Sequence, residues 1–155
     1  MGIILDGIEK EVIKLNDSIK LELDIQDINN TGEASRSLEV KKYDNRVQSL
    51  GVFYLEFLDT GRGPGKYPPT NKIRLWVQQK LGLTDEKEIN TATFLISRKI
   101  KELGTQIFEK KKKGIGLTEK TERLRKEISS KLPDLAKAEV IQRLDKYKKL
   151  FNGKN

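Results

Sequence analysis

The sequence predicts an α+β protein with a long N-terminal helix, a small antiparallel β-sheet packed by helices, and a helical C-terminal extension. Three observations lead to this class. Apolar side chains recur every three or four positions over the first 28 residues, residues 34–58 change to a two-residue alternation, and the chain after residue 68 returns to the helical period. A chain of 155 residues is long enough for one domain with a modest core.

The N-terminal helix is predicted over residues 3–28. Its apolar stripe consists of Leu5, Ile8, Val12, Leu15, Ile19 and Leu23. The segment Asn29-Asn30-Thr31-Gly32 ends it, because Asn and Gly tolerate the left-handed conformation that closes helices. A terminal helix of this length needs a partner surface, since propensity alone rarely stabilises it.

A β-hairpin is predicted next. Residues 35–42 alternate weakly, Tyr43-Asp44-Asn45-Arg46 has turn composition, and residues 47–58 are apolar on both faces. One face would carry Val47, Phe53, Leu55 and Phe57, and the other Leu50, Val52, Tyr54 and Leu58. This pattern favours a strand covered on both sides, either within the chain or by a neighbouring subunit. Helices must cover such a small sheet, or other subunits must extend it.

Two helices follow a loop at residues 59–69. Pro68-Pro69 opens the first, with the apolar face Ile73, Trp76, Val77 and Leu81 and the end at Gly82. We interpret Trp76 as a core residue rather than a stacking platform. Asp85 and Glu88 form a plausible capping box for the second helix. Its face is Ala92, Leu95, Ile96, Ile100 and Leu103, and Gly104 ends it.

The last third of the chain is predicted to be helical and basic. Gly114-Ile115-Gly116 is predicted to be flexible, a helix begins near Thr118, and Pro133 interrupts it. A last helix reaches about Leu150, with the stripe Leu135, Ile141, Leu144, Tyr147, Leu150 and Phe151. We therefore divide the chain into an α+β domain, residues 1–108, and a basic helical extension, residues 109–155.

Charge is unevenly distributed along the chain. The total is 31 basic and 23 acidic residues, a net charge of +8. Residues 1–33 carry 3 basic and 8 acidic side chains, whereas residues 98–155 carry 18 and 8. An acidic front and a basic tail attract each other within one chain or between neighbours in an assembly, and a basic tail also attracts nucleic acid.

The composition argues against most enzyme chemistry. With no cysteine and no histidine, the chain lacks thiol nucleophiles, the usual general base and the commonest metal ligand. Glu56 and Asp59 would lie on opposite faces of the predicted strand. We predict no catalytic, metal-binding or cofactor-binding residue and no enzyme activity. No apolar run approaches the roughly 20 residues of a membrane span, and the start does not resemble a signal peptide. We therefore expect a soluble protein that acts inside a cell or in a particle built there.

The glycine-rich segment at residues 61–66 admits three interpretations. Its glycines and its cations Arg62 and Lys66 suggest a phosphate loop, but no Ser or Thr follows Lys66 and Pro64 removes a donor. In the second interpretation the segment is a stiff corner between a strand and a helix. In the third interpretation it is an assembly contact that presents Arg62, Lys66 and Tyr67 to a neighbour.

A run of lysines, Lys110, Lys111, Lys112 and Lys113, follows Phe108. Without further aromatic residues it does not indicate base stacking. It could still follow a phosphate backbone electrostatically. The alternatives are a solvated loop and a contact with an acidic protein.

Several segments together resemble a known family. They are DINNTG (27–32), SRSL (35–38), FLDTGRGPGKYPP (57–69), the helix with Ile73 and Trp76, FLISRKI (94–100) and Gly104-Thr105. Over about residues 10–108 the chain resembles the tail-completion or neck proteins of tailed bacteriophages, also described as head–tail joining or minor tail proteins. The resemblance implies an α+β fold, a ring of identical copies and no enzymatic activity. The helical residues 110–155 depart from the pattern.

From the residues and the resemblance together, we expect a virion structural protein without cofactors. It would form a homo-oligomeric ring at the head–tail interface or tail, contact portal, adaptor or tail-tube proteins, and line or seal the DNA passage. The predicted subunit contacts are Arg62, Lys66, Tyr67, Phe53, Leu55 and Phe57. The alternative is a DNA-binding module acting through Lys110–Lys113 and the basic C-terminal helices, with non-specific DNA contact. An enzyme dependent on Arg62 is the third hypothesis, disfavoured by the missing His and Cys.

Overall fold

The computed structural model describes residues 2–28 and 31–152. Along these residues the helices are α1 (Ile3–Ile25), α2 (Glu33–Ser37), α3 (Leu55–Thr60), α4 (Thr70–Leu81), α5 (Glu86–Leu103), α6 (Gln106–Glu109) and α7 (Leu117–Asn152), and the strands are β1 (Glu39–Lys42) and β2 (Val47–Leu50). This arrangement confirms the α+β class, with a long N-terminal helix, a small antiparallel sheet and a helical C-terminus. Asn29 and Asn30 of the predicted helix stop, and the side chains of Leu150 and Phe151, lie outside the described part.

The predicted hairpin is present, but its first strand is shorter than predicted, because residues 35–37 belong to α2 and β1 covers only Glu39–Lys42. β1 and β2 pair antiparallel, with Lys42 opposite Val47, and the Tyr43 N–H donates to the Arg46 carbonyl across the predicted turn (2.8 Å). Helix α1 covers the hairpin through polar contacts. The Ser49 hydroxyl donates to Asn16 Oδ1 (2.6 Å), and Lys42 bridges Asp6 and Glu9. The expectation that helices cover the sheet is therefore confirmed.

The long apolar strand predicted over residues 47–58 is wrong in its second half. β2 ends at Leu50, and residues 55–60 form α3. Because residues 52–58 are apolar at nearly every position, their pattern fits a helical period as well as an alternating one. The chain turns at Gly51, and Leu55 then joins the core while Phe53 and Phe57 stay exposed.

The core assembles around the stripe predicted for α1. Its buried members are Leu15, Ile19, Leu23, Ala34, Leu38, Leu55 and Ile115. The prediction that Gly114-Ile115-Gly116 is flexible is wrong, because Ile115 is fully buried. Its N–H donates to the Leu58 carbonyl (3.3 Å). Gly114 lets the backbone pass close enough to Asp59 of α3 for this insertion, and Gly116 adopts a left-handed conformation (φ +67°) that favours glycine.

Helix α7 is continuous, so the predicted interruption at Pro133 is wrong. Packing against α1 stabilises the helix on both sides of the proline. Lys131 pairs with Glu11 (2.8 Å), and the Leu135 side chain fills the space beside Gly7. Further along, Lys120 pairs with Glu22 (3.4 Å). The two helices run antiparallel, and the acidic front and the basic tail attract each other within one chain.

The predicted signals at the ends of α4 and α5 are confirmed. Pro69 caps the start of α4, and Gly82 ends it in the left-handed conformation (φ 64°). The Asp85 carboxylate accepts hydrogen bonds from the N–H groups of Lys87 and Glu88, both at 3.0 Å. The two helices pack on each other as a hairpin, and Arg74 of α4 pairs with Glu86 of α5 (2.6 Å).

The predicted apolar faces of this hairpin are partly wrong. The side chains buried between the helices are Val77, Ile89, Thr93 and Ser97. Ile89, Thr93 and Ser97 are buried at four-residue spacing, so the buried line of α5 differs from its predicted apolar face. Leu95 and Leu103 are consequently exposed, and Trp76, predicted as core, is 40 % exposed.

Candidate assembly surfaces

The corner loop, residues 61–67, is fixed to the junction of α5 and α6. The Thr105 N–H donates to the Arg62 carbonyl (2.8 Å), and the Thr105 hydroxyl accepts from the Arg62 N–H (2.9 Å). The Gly65 N–H donates to the Lys101 carbonyl (2.8 Å). The Arg62 and Gly65 amides are thus engaged within the chain, which argues against a phosphate cradle.

Two glycines allow this close approach. Gly61 adopts φ +76° directly against the backbone of Phe108, and Gly104 adopts φ +85° beneath the Arg62 carbonyl. A side chain at either position would meet backbone atoms as well as an unfavourable φ. The unusual composition of the loop therefore builds a stiff corner, although the corner follows helix α3 rather than the predicted strand.

The three predicted contact residues of the corner loop differ in their exposure. Arg62 is half-buried, and its guanidinium donates to the carbonyls of Lys66 (2.9 Å) and Tyr67 (3.2 Å), so it holds the backbone of the loop. Lys66 and Tyr67 are exposed, and the Lys101 ammonium lies 4.5 Å from the centre of the Tyr67 ring. A neighbouring molecule would meet Lys66 and Tyr67 first.

The other predicted contacts are divided between core and surface. Leu55 packs in the core and offers no surface to a partner. Phe53 is 86 % exposed, although its ring lies edge-on to Tyr54 at 5.7 Å, and Phe57 is also exposed. The predicted apolar contact thus reduces to a pair of phenylalanines at the start of α3.

The α4–α5 hairpin carries a larger apolar surface that sequence reasoning missed. Its exposed apolar side chains are Leu75, Trp76, Leu81, Phe94, Leu95 and Leu103. Ion pairs join α4 to the rest of the protein, Lys72 with Glu33 (3.1 Å) and Lys80 with Asp27 (2.5 Å). Leu75 and Phe94 lie outside the apolar faces predicted for α4 and α5. Apolar residues outside a helix's buried face indicate exposed apolar surface, so these two positions could have predicted it from the sequence.

The whole molecule has an unusually large surface for its mass. The chain exposes 11189 Å², whereas a compact protein of its mass, 17.8 kDa, exposes roughly 8,000 Å². The excess is on the order of 3,000 Å². Exposed large apolar side chains lie on α1, α4, α5 and α7.

The lysine run Lys110–Lys113 lies exposed just after α6. Lys113 pairs with Glu119 (3.6 Å). Across residues 2–28 and 31–152, the other three lysines have no ion pair with an acidic side chain. Lys111 adopts a left-handed backbone conformation (φ 48°) where the chain turns from α6 towards Gly114. The run forms a compact cationic turn.

The strongest electrostatic contacts are structural and lie between α1 and α7. Hydrogen bonds from Lys131 and Lys14 hold the pKa of the buried Glu11 carboxyl at about 2, well below its ordinary range. A backbone hydrogen bond from Ile4 and the Arg143 side chain lower the pKa of Glu139. The Lys131 and Ile4 contacts join α1 to α7.

In ranges 2–28 and 31–152, no three acidic side chains converge closely enough to hold a metal ion. None of the helices in the same part of the chain combines the length and apolar character that a bilayer crossing demands. An open cleft of about 880 Å³ lies between the start of α1, the hairpin turn and α7, and its wall mixes both signs of charge, including Lys42, Asp44 and Arg143.

Comparison with protein-family models, curated proteins and solved structures gives no match to this chain. The resemblance of residues 10–108 to phage neck proteins therefore depends on the motif segments alone. The exposed residues of the corner loop, α3, the α4–α5 hairpin and the lysine run are the physical evidence that bears on function.

Proposed function

We propose that this chain is a non-enzymatic structural subunit of a virion that assembles into a ring of identical copies. The ring joins portal or adaptor proteins to the tail at the head–tail interface or in the tail, and it lines or seals the DNA passage. The observation that carries the proposal is the excess exposed surface, on the order of 3,000 Å² beyond a compact monomer of this mass.

A ring subunit meets a neighbour on each side, which accounts for such an excess. A stable interface buries about 800 Å² on each partner. Two such interfaces occupy about 1,600 Å² of each subunit and leave apolar surface for other virion proteins. The exposed apolar side chains lie on separate elements, including α3, the α4–α5 hairpin and α7, as several distinct contacts require.

The corner loop supports a contact role as well. Its backbone is fixed by Thr105 and Lys101, so Lys66 and Tyr67 are presented without a large loss of conformational entropy on binding. The motif segments that carry the phage resemblance include this loop, which supports the virion location.

The location is tested by imaging particles with an antibody against this chain. We expect label at the head–tail junction or the tail in intact virions, and particles with unjoined heads and tails when the gene is deleted. Normal, infectious particles without the protein, or label only on the capsid shell, would contradict the proposal.

A second candidate is DNA binding through the cationic turn. The observation that favours it is that Lys110, Lys111 and Lys112 are exposed without an acidic partner in the described ranges. We expect a DNA affinity that falls steeply with salt, with a smaller slope after all four lysines are changed to glutamine, by about 0.9 per lost phosphate contact. The matched control changes Lys10, Lys20, Lys87 and Lys99 instead. Equal salt slopes for both variants would refute this candidate.

A further inference from the structure

The fold places the corner loop beside the segment that carries the lysine run. Thr105, the residue before α6, donates its N–H to the Arg62 carbonyl (2.8 Å) and accepts from the Arg62 N–H (2.9 Å). Helix α6 has four residues, so it is about 6 Å long at 1.5 Å per residue. The cationic turn therefore begins about 6 Å from the residue that holds the corner loop.

Two exposed aromatic rings lie at this junction. The Phe108 ring lies against Gly63 and Gly104, two positions without a side chain, and Phe108 is 48 % exposed. Tyr67 is 49 % exposed, and the Lys101 ammonium lies 4.5 Å from the centre of its ring. The sequence places only Phe108 beside the lysine run, whereas the fold brings a second ring, Tyr67, to the same junction.

Five lysines at the junction are exposed and have no ion pair with an acidic side chain across the part of the chain that the structure describes. They are Lys66, Lys101, Lys110, Lys111 and Lys112. Residues 62–67 and 105–112 together contain five basic residues and one acidic residue, Glu109, a net charge of +4. We call the five lysines, Tyr67 and Phe108 the basic aromatic patch.

We infer that the basic aromatic patch binds single-stranded DNA. Lysine side chains follow the phosphate backbone electrostatically, and aromatic rings stack on the bases of a single strand. In a duplex the bases stack on one another, and an acidic protein has no base at all, so the two rings favour a single strand over both. The inference deepens the second candidate function, DNA binding through the cationic turn, and rests on it.

The patch predicts how the chain discriminates between DNA forms. Every base has a flat π-face, so a site made of rings and lysines binds single strands with little sequence preference. The duplex would meet only the lysines. We therefore expect a single strand to bind more tightly than the duplex of the same length.

The test measures binding by fluorescence anisotropy at several salt concentrations. Its probes are a labelled DNA strand of mixed sequence and the duplex that this strand forms with its complement. Tyr67→Leu with Phe108→Leu removes the two rings and keeps an apolar side chain at each position. The matched control is Tyr43→Leu with Phe53→Leu, which removes a tyrosine beside a cation and an exposed phenylalanine elsewhere. Thermal unfolding checks the fold of each variant, and Tyr67→Leu alone replaces the double variant if the Phe108 change disturbs it.

The ring variant should lose about tenfold in single-strand affinity for each ring removed. Its salt dependence should be unchanged, because all the lysines are present. The duplex affinity of the ring variant and both affinities of the control should equal those of the unaltered chain.

A second variant tests whether the corner loop and α5 take part. Lys66→Gln with Lys101→Gln leaves the cationic turn intact. It should lower the slope of log affinity against log salt for the single strand by about 0.7 per lost phosphate contact.

The inference is overturned if the duplex binds as tightly as the single strand, if the ring variant binds the single strand as tightly as the control, or if the Lys66 and Lys101 changes leave the salt slope unchanged. The DNA-binding candidate itself survives these results as long as changing the four lysines of the cationic turn lowers the salt slope. If the unaltered chain binds neither form of DNA at low salt, the candidate fails together with the inference, so the two failures are distinguishable.

Discussion

Gly114 marks the place where the segment before α7 comes closest to α3. A Cβ at this position would overlap backbone atoms of Asp59, and backbone cannot move aside as a flexible side chain can. Asp59 also accepts a hydrogen bond from the Leu117 N–H (3.1 Å) at the start of α7. The glycine therefore permits both the burial of Ile115 and the capping of α7.

We predict that Gly114→Ala lowers the free energy of unfolding by about 1–3 kcal/mol, the usual cost of overpacking. Urea unfolding followed by circular dichroism measures the change. Gly63→Ala is the matched control, because a Cβ there would only touch the Phe108 ring at 3.4 Å, an ordinary contact distance. Equal free energies of unfolding for the two variants would contradict the prediction, because the backbone around Gly114 would then move away from Asp59 at little cost.

Glu11 makes stability depend on pH. Its pKa is about 2 in the folded chain against an ordinary 4.5, so its contribution is complete above pH 4.5 and is lost as the pH falls towards 2. We predict that Glu11→Gln destabilises the protein near neutral pH and that the difference from the unaltered chain shrinks over this window. Chemical unfolding at a series of pH values measures it.

The control for Glu11 is Glu119→Gln, which removes an exposed ion pair with Lys113. Exposed pairs contribute about 0–1 kcal/mol, so we expect a small difference at every pH. A difference between Glu11→Gln and the unaltered chain that stayed constant from neutral pH to pH 2 would contradict the role of the Glu11 charge.

At the scale of elements, the sequence predicts helices with strong end signals well. The α1 stripe, the Asp85 cap and the Gly82 stop are local features, and each is present. Residues 52–58 could not be assigned in the same way, because a run that is apolar throughout has no distinguishing period. The burial of Ile115 was equally hidden, since it depends on contacts with α1 and α3 that are distant in sequence.

Pro133 is the clearest conflict between local preference and tertiary packing. Proline in a helix interior costs about 3 kcal/mol relative to alanine, yet α7 continues through it because both halves of α7 contact α1. We predict that Pro133→Ala raises the free energy of unfolding by about 1–3 kcal/mol, since the restored hydrogen bond outweighs the larger entropy of the unfolded chain. Thermal and urea unfolding test this. A loss of stability would mean that α7 needs the fixed φ of Pro133 to pack along α1.

At the scale of the whole molecule, the sequence indicated which residues are apolar but not which remain uncovered. The stripe predicted for the last helix included Leu135 together with Leu144 and Tyr147. Leu135 packs beside Gly7, whereas Leu144 and Tyr147 are exposed, because Leu144 follows Leu135 by two and a half turns and lies on the opposite side of α7. Likewise Trp76 and Leu95 belong to predicted apolar faces, and only the docking of α4 on α5 reveals that they are exposed.

The mass of the purified chain in solution tests the central claim, self-assembly, most directly. Sedimentation velocity with mass photometry, from nanomolar to high micromolar concentration, should give one dominant multiple of 17.8 kDa, since a closed ring has a fixed number of copies. The proportion of that species should rise with concentration. A chain that remained at 17.8 kDa throughout this range would contradict the account, because its exposed apolar surface would then not serve self-association.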